Sequence, residues 1–170
     1  MSWNIFRTKY KNGLDNQEDM SKVISDAYDL CVKTGGAVIS PIPALGNKDG
    51  LKTMLSACFA SQGVIPFGKS LDDGLKLYWT GAVAGTATAT PGITTAYIKK
   101  DNKDLDEFIS QLIECFNTYH KQILFTIPGA PPIPGYVVKK ETDSDDGGEP
   151  DSAERTRGTD PEDETDDKDF

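Results

Sequence analysis

Apolar residues recur every three or four positions over most of the first 125 residues, the period of an amphipathic helix rather than a strand. Trp3, Phe6 and Tyr10 form a first short stripe, with Ser2 placed to cap it and Gly13 to stop it. A second stripe runs through Met20, Val23, Ile24, Ala27, Tyr28, Leu30 and Cys31, from a cap at Asn16 to the pair Gly35-Gly36. Leu51, Met54, Leu55, Cys58 and Phe59 predict a third helix over about 48–62, closed by Gly63. A fourth begins at Ser70, with Asp73 three residues on in the manner of a capping box, and carries Leu71, Leu75, Tyr78, Trp79, Ala82 and Val83. The longest covers about 102–123, where Leu105, Phe108, Ile109, Leu112, Ile113, Phe116, Tyr119 and Ile123 trace one wide face with Cys115 at its border. A short strand is a candidate only between Ile93 and Ile98. The pattern predicts an all-α domain over residues 1–125, a small bundle of four to five helices.

The segments between the stripes are unusual. Residues 36–47 (GAVISPIPALGN), 90–100 around Pro91-Gly92, and 126–135 (TIPGAPPIPG) are long, apolar and rich in proline, where most connections are short and polar. Proline holds such segments extended and removes donors that would need partners. Two roles fit them: arms laid across neighbouring copies, or covers folded back on the bundle's own core. The stretch 126–140 is taken as an extended arm. On the first role, deleting Ile127–Tyr136 leaves a helical monomer that does not assemble.

Charge separates the remainder. Residues 141–170 hold fourteen Asp or Glu against three Lys or Arg, a net of −11, whereas residues 1–140 hold thirteen acids and fifteen bases, a net of +2. The formal −9 of the chain is therefore a near-neutral body plus an acidic tail. Apart from two prolines, only Ala153 and Phe170 are apolar in that tail. It cannot bury enough surface to offset the entropy of ordering and is expected to be a disordered, self-repelling segment open to a basic partner. A body of about 140 residues fits one domain. Met1–Lys11 has no apolar run of signal-peptide length, and no stretch approaches the roughly 18 apolar residues of a membrane span.

Catalytic signatures are sparse. The sequence contains no G-x-S-x-G, P-loop, H-E-x-x-H or dinucleotide fingerprint. Its one histidine, His120, falls near the end of the last helix, where a cation or dipole partner near the helix C-terminus is the expected role. Cys31, Cys58 and Cys115 are odd in number, widely spaced and each inside a helical stripe, the pattern of reduced core residues rather than zinc ligands. Asp143, Asp145, Gly148 and Glu154 match positions 1, 3, 6 and 12 of a calcium loop, but Gly147 offers no ligand at position 5 and no helical pattern flanks the segment. The lysines at 9 and 11, at 99, 100 and 103, and at 139 and 140 are too scattered for a phosphate track. No enzyme activity, cofactor or metal is expected, and neither a membrane nor a nucleic acid is an expected partner.

Two resemblances add to this. The end of the chain, Asp166-Asp167-Lys168-Asp169-Phe170, resembles the acidic, aromatic-terminated tails of single-stranded DNA-binding proteins. It implies docking of partner proteins through Asp166, Asp167, Asp169 and Phe170, and a replication accessory as the alternative function. The body of such proteins is a β-barrel, unlike the helical pattern here. The second resemblance covers about residues 15–135. Ala27-Tyr28-Asp29 ends one helix, an extended loop reaches Gly46-Asn47, and Tyr78-Trp79-Thr80-Gly81-Ala82 closes another before the Pro-Gly loops. This order resembles small structural proteins of contractile-tailed, T4-like bacteriophages. The resemblance implies a repeated, non-enzymatic subunit of a neck, tail or baseplate, made in host cytoplasm and located in the virion, whose partners are other virion proteins and copies of itself. Trp3, Phe67, Tyr78, Trp79, Ile133 and Tyr136 are then the candidate interface side chains, with ordinary core packing as the alternative for each.

Overall fold

Each apolar stripe becomes a helix in the computed structural model, which describes residues 3–37, 43–92 and 104–138. The helices are α1 (Asn4–Asp15), α2 (Met20–Lys33), α3 (Lys48–Ala60), α4 (Phe67–Trp79) and α5 (Leu105–His120). The fold is mostly helical as the stripes require, but it is not a bundle of helices alone. Short strands β2 (Val83–Ala84), β3 (Ala87–Thr90), β4 (Leu124–Thr126) and β5 (Ile133–Pro134) form an antiparallel sheet in that spatial order. A second antiparallel pair joins β1 (Gly36–Ala37) to β6 (Tyr136–Val137).

The helix caps depart from expectation in two places. Asp19, not Asn16, caps α2, its carboxylate accepting from the Ser21 N–H at 3.0 Å. Ser70 lies inside α4 rather than at its start; the helix begins after Pro66, and the buried Ser70 Oγ has no hydrogen-bond partner. Asp104 caps α5 through the Glu107 N–H at 2.8 Å. Helix α4 ends at Trp79 because Thr80 turns extended and Gly81 takes a φ of +72°, a left-handed conformation open to glycine. Ala82 and Val83 thereby leave the helical stripe for the sheet.

Local contacts fix the helix directions. Ser21 meets Ser56 at 2.7 Å while Lys48 pairs with Asp26 at 2.7 Å, so α2 and α3 are antiparallel. The Asn47 N–H donates to the Tyr78 carbonyl at 2.9 Å, which sets α3 against α4. Trp3 bonds Asn117 and Lys11 pairs with Asp106, which sets α1 against α5. α2, α4 and α5 consequently run one way, α1 and α3 the other, and the four-stranded sheet hangs from the C-terminal ends of α4 and α5.

Sheet and helices share one core. Ala84, Ala87, Ala89 and Phe125 are buried on the inner face, where small residues let the sheet approach Trp79; the Trp79 and Phe125 rings lie 6.2 Å apart, edge to face. The segment expected as an arm belongs to this body. Ile127 packs on the core, Ile133–Pro134 adds the last strand, and the buried Tyr136 stands 5.0 Å from Trp79, ring to ring. Deleting Ile127–Tyr136 therefore removes core, contrary to the expectation of an intact monomer. The candidate strand at 93–98 and the acidic tail lie outside the described residues. No helix among the described residues is long and apolar enough to cross a membrane.

Candidate functional site

Two kinds of place could carry function: the polar groups gathered inside the body and the apolar groups left outside it. The interior set centres on Tyr28. Its hydroxyl accepts from the Trp79 indole N–H at 2.7 Å and lies 2.7 Å from His120 Nε2. With the indole donating to that oxygen, the assignment that leaves fewest buried groups unpaired has the tyrosine hydroxyl donating to Nε2 and the imidazole's own proton on Nδ1. Nδ1 is buried and has no hydrogen-bond partner. The rings of Trp3, Tyr28, Trp79 and Tyr136 stand within 5.4–5.8 Å of the imidazole. Burial among them drives the His120 pKa down to about 3, so the ring is neutral at pH 7. The expected cationic role at the helix C-terminus is therefore corrected: an ammonium-like charge cannot be desolvated there without a partner.

The polar groups of Tyr78, Asp29 and Tyr136 are structural ties as well. The Tyr78 hydroxyl donates to Asp29 at 2.8 Å, and Asp29 pairs at 2.6 Å with Lys33 one turn on. The Tyr136 hydroxyl donates to the Val32 carbonyl and accepts from the Ala44 N–H, at 3.1 Å for the latter. Cys31 and Cys58 are buried and Cys115 half-buried; burial pushes the Cys31 thiol up to about 11, which suppresses the nucleophilic thiolate. Among the described residues no group of three or more His, Cys, Asp or Glu is placed to hold a metal ion.

The outer face of the four-stranded sheet is the more informative surface. Antiparallel partners share a face, so the register reads out two rows. Leu45, bridged to Val83, continues through Thr88 to Thr126; Thr90, Leu124 and Pro134 make the second row. All seven side chains are exposed and none is charged, and Leu45 is 60% exposed. At the far ends of the helices a second apolar surface is built around Phe67. Its ring stacks on Phe59 at 6.0 Å and meets Phe108 at 6.1 Å, while Leu105 and the turn Val64-Ile65 lie exposed beside them. Val64, 84% exposed, stands at the tip of that turn.

No protein-family model, curated protein or solved structure matches the chain.

The six side chains expected at interfaces divide between these places. Tyr78, Trp79 and Tyr136 are buried in the monomer and act there as core with satisfied polar tips. Trp3 is half-buried; it stacks on Phe116 at 5.4 Å and its indole donates to Asn117 at 2.9 Å, which ties α1 to α5. Phe67 is half-buried within the helix-end patch, and Ile133 is exposed at the sheet edge opposite Phe125. Asp166, Asp167, Asp169 and Phe170, and the calcium-like loop from Asp143, fall outside the described residues. The sheet face was missed from sequence. Its signal was the alternation Thr86-Ala-Thr-Ala-Thr90, a period of two that puts every threonine on one side.

Proposed function

We propose that the protein is a non-catalytic structural subunit that works by protein–protein contact, of the neck, tail or baseplate kind found in contractile-tailed phage virions. The observation that carries this reading is the charge-free outer face of the sheet, with Leu45, Val83 and Leu124 bare to solvent. Solvent-facing sheet surfaces usually alternate toward polar and charged side chains. A broad uncharged one with exposed leucines is the composition of a contact surface. The groups with chemical potential support the same reading, because His120, Tyr28, Tyr78 and Cys31 are spent on holding the core together.

Sedimentation velocity on the full chain tests the reading together with mass spectrometry of purified particles. Species well above the 18.5 kDa monomer, and the chain's peptides in intact virions, are the expected results. A monomer at every concentration, absent from particles and retarded with single-stranded DNA, would replace this reading with the replication-accessory one.

A further inference from the structure

The two apolar surfaces occupy opposite ends of the same helices. Phe67 opens α4 and Val83 follows its close; Leu105 opens α5 and Leu124 follows its close. At 1.5 Å per residue these helices place the two surfaces about 20 Å apart. The surfaces differ in make-up: one is a turn that leaves Val64 84% exposed, the other a threonine-lined sheet face. Their rims differ in charge. Asp104 and Glu107 stand at the start of α5 at the turn end, where Lys11 is paired with Asp106 and Lys69 with Asp73, whereas Lys76 and Lys121 stand at the ends of α4 and α5 beside the sheet.

We infer that copies of this chain associate head to tail, the Val64 turn and Phe59–Phe67 patch of one copy seated on the threonine sheet face of the next. The inference rests on the assembling-subunit reading and adds polarity to it. Charge complementarity selects this pairing over a symmetric one. Sheet to sheet brings Lys76 and Lys121 of two copies together, and turn to turn does the same with the α5 carboxylates; head to tail sets the acidic rim against the basic one. A contact of this kind uses two different patches on each subunit and generates a ring when the rotation closes, a filament when it does not. Each patch falls short of the roughly 20–30 residues a side of a standard interface, so a single contact is weak and closure, which gives every subunit two contacts, is what makes the assembly persist.

Mixing two variants tests the polarity. Thr88→Glu with Leu124→Glu disables the sheet face; Val64→Asp with Ile65→Ser disables the turn. All four positions are exposed, and circular dichroism with thermal melting verifies that both variants fold. The expected result in sedimentation is a wild type larger than a dimer, each variant alone monomeric, and the equimolar mixture stopping at two chains, since one intact contact remains available. A turn variant that still dimerises, or a mixture that stays monomeric, overturns the head-to-tail inference and leaves self-assembly standing. A wild type that is monomeric throughout overturns the assembling-subunit reading itself.

Discussion

Tyr28 and His120 are separated by 92 positions in the sequence and by 2.7 Å between the phenol oxygen and Nε2. With Trp79 donating to the same oxygen, one hydroxyl joins α2, α4 and α5. Tyr28→Phe removes that oxygen and leaves two buried groups, the indole N–H and Nε2, without partners. Each such orphan costs about 1–3 kcal/mol, so the variant should lose about 2–6 kcal/mol. Urea denaturation followed by tryptophan fluorescence measures this; a loss under 1 kcal/mol would mean that the hydroxyl is not the tie it resembles.

His120 gives the stability a dependence on pH. Its folded pKa of about 3 lies below the ordinary 6.5, so between those values the unfolded chain binds a proton that the folded chain refuses. The contribution is complete above 6.5 and falls away as pH drops toward 3, at about 1.4 kcal/mol per pH unit. His120→Gln keeps an acceptor for the Tyr28 proton and removes the titration. Between pH 6 and 4.5 the variant should show a flatter stability profile than wild type in matched urea titrations. Parallel profiles would contradict the burial of a neutral imidazole.

Gly46 and Gly63 separate crowding from backbone freedom. A Cβ at Gly46 would stand 2.1 Å from the Tyr78 ring, which cannot retreat because its hydroxyl holds Asp29. Gly46→Ala should cost about 2–3 kcal/mol as overpacking. Gly63 has open space around it but a φ of +91°, so Gly63→Ala should cost only about 1 kcal/mol of backbone strain. Melting temperatures of the two variants give the ranking, and a reversed order would contradict the placement of Gly46 against Tyr78.

Thr88→Val and Thr126→Val probe the exposed sheet face without adding charge. The two threonines are cross-strand partners on β3 and β4. Valine keeps the β-branched shape that suits a pleated surface, so monomer stability should move by less than about 0.5 kcal/mol. Association, in contrast, should tighten severalfold as the face becomes more apolar, which sedimentation equilibrium can read. Unchanged association would mean that this face contributes no contact.

The helices were legible in the sequence because the Leu51–Leu55–Cys58 and Ile109–Leu112–Phe116 stripes each bury one face against a neighbour, and burial is what the 3.6 period records. The end of α4 was not, because Ala82 and Val83 continue the stripe in composition while Gly81 breaks it in backbone. The sheet was hidden by its shortness. Its strands run from two to four residues, and Thr88 finds Thr126 across the whole of α5, a pairing that no local pattern encodes. Tyr136 was legible as a large side chain needing a partner. That the partner is the Val32 carbonyl, 104 positions back, is a property of the closed fold. The Phe59–Phe67–Phe108 patch draws on three separate helices and appears only when their ends meet.

Trp3 reaches Asn117 across 114 positions, and Tyr136 reaches Val32 across 104. Helical content alone would suggest a fast folder, yet these closures bind α1 to α5 and the end of α2 to β6. Folding time follows the average of such separations, so the chain should fold more slowly than a bundle held by local contacts alone. During synthesis α1 can pack on α2 early, but the faces of Trp3 and Phe6 that meet Phe116 stay uncovered until α5 has been made. A message cut short before codon 117 would yield a sticky fragment rather than a smaller working protein.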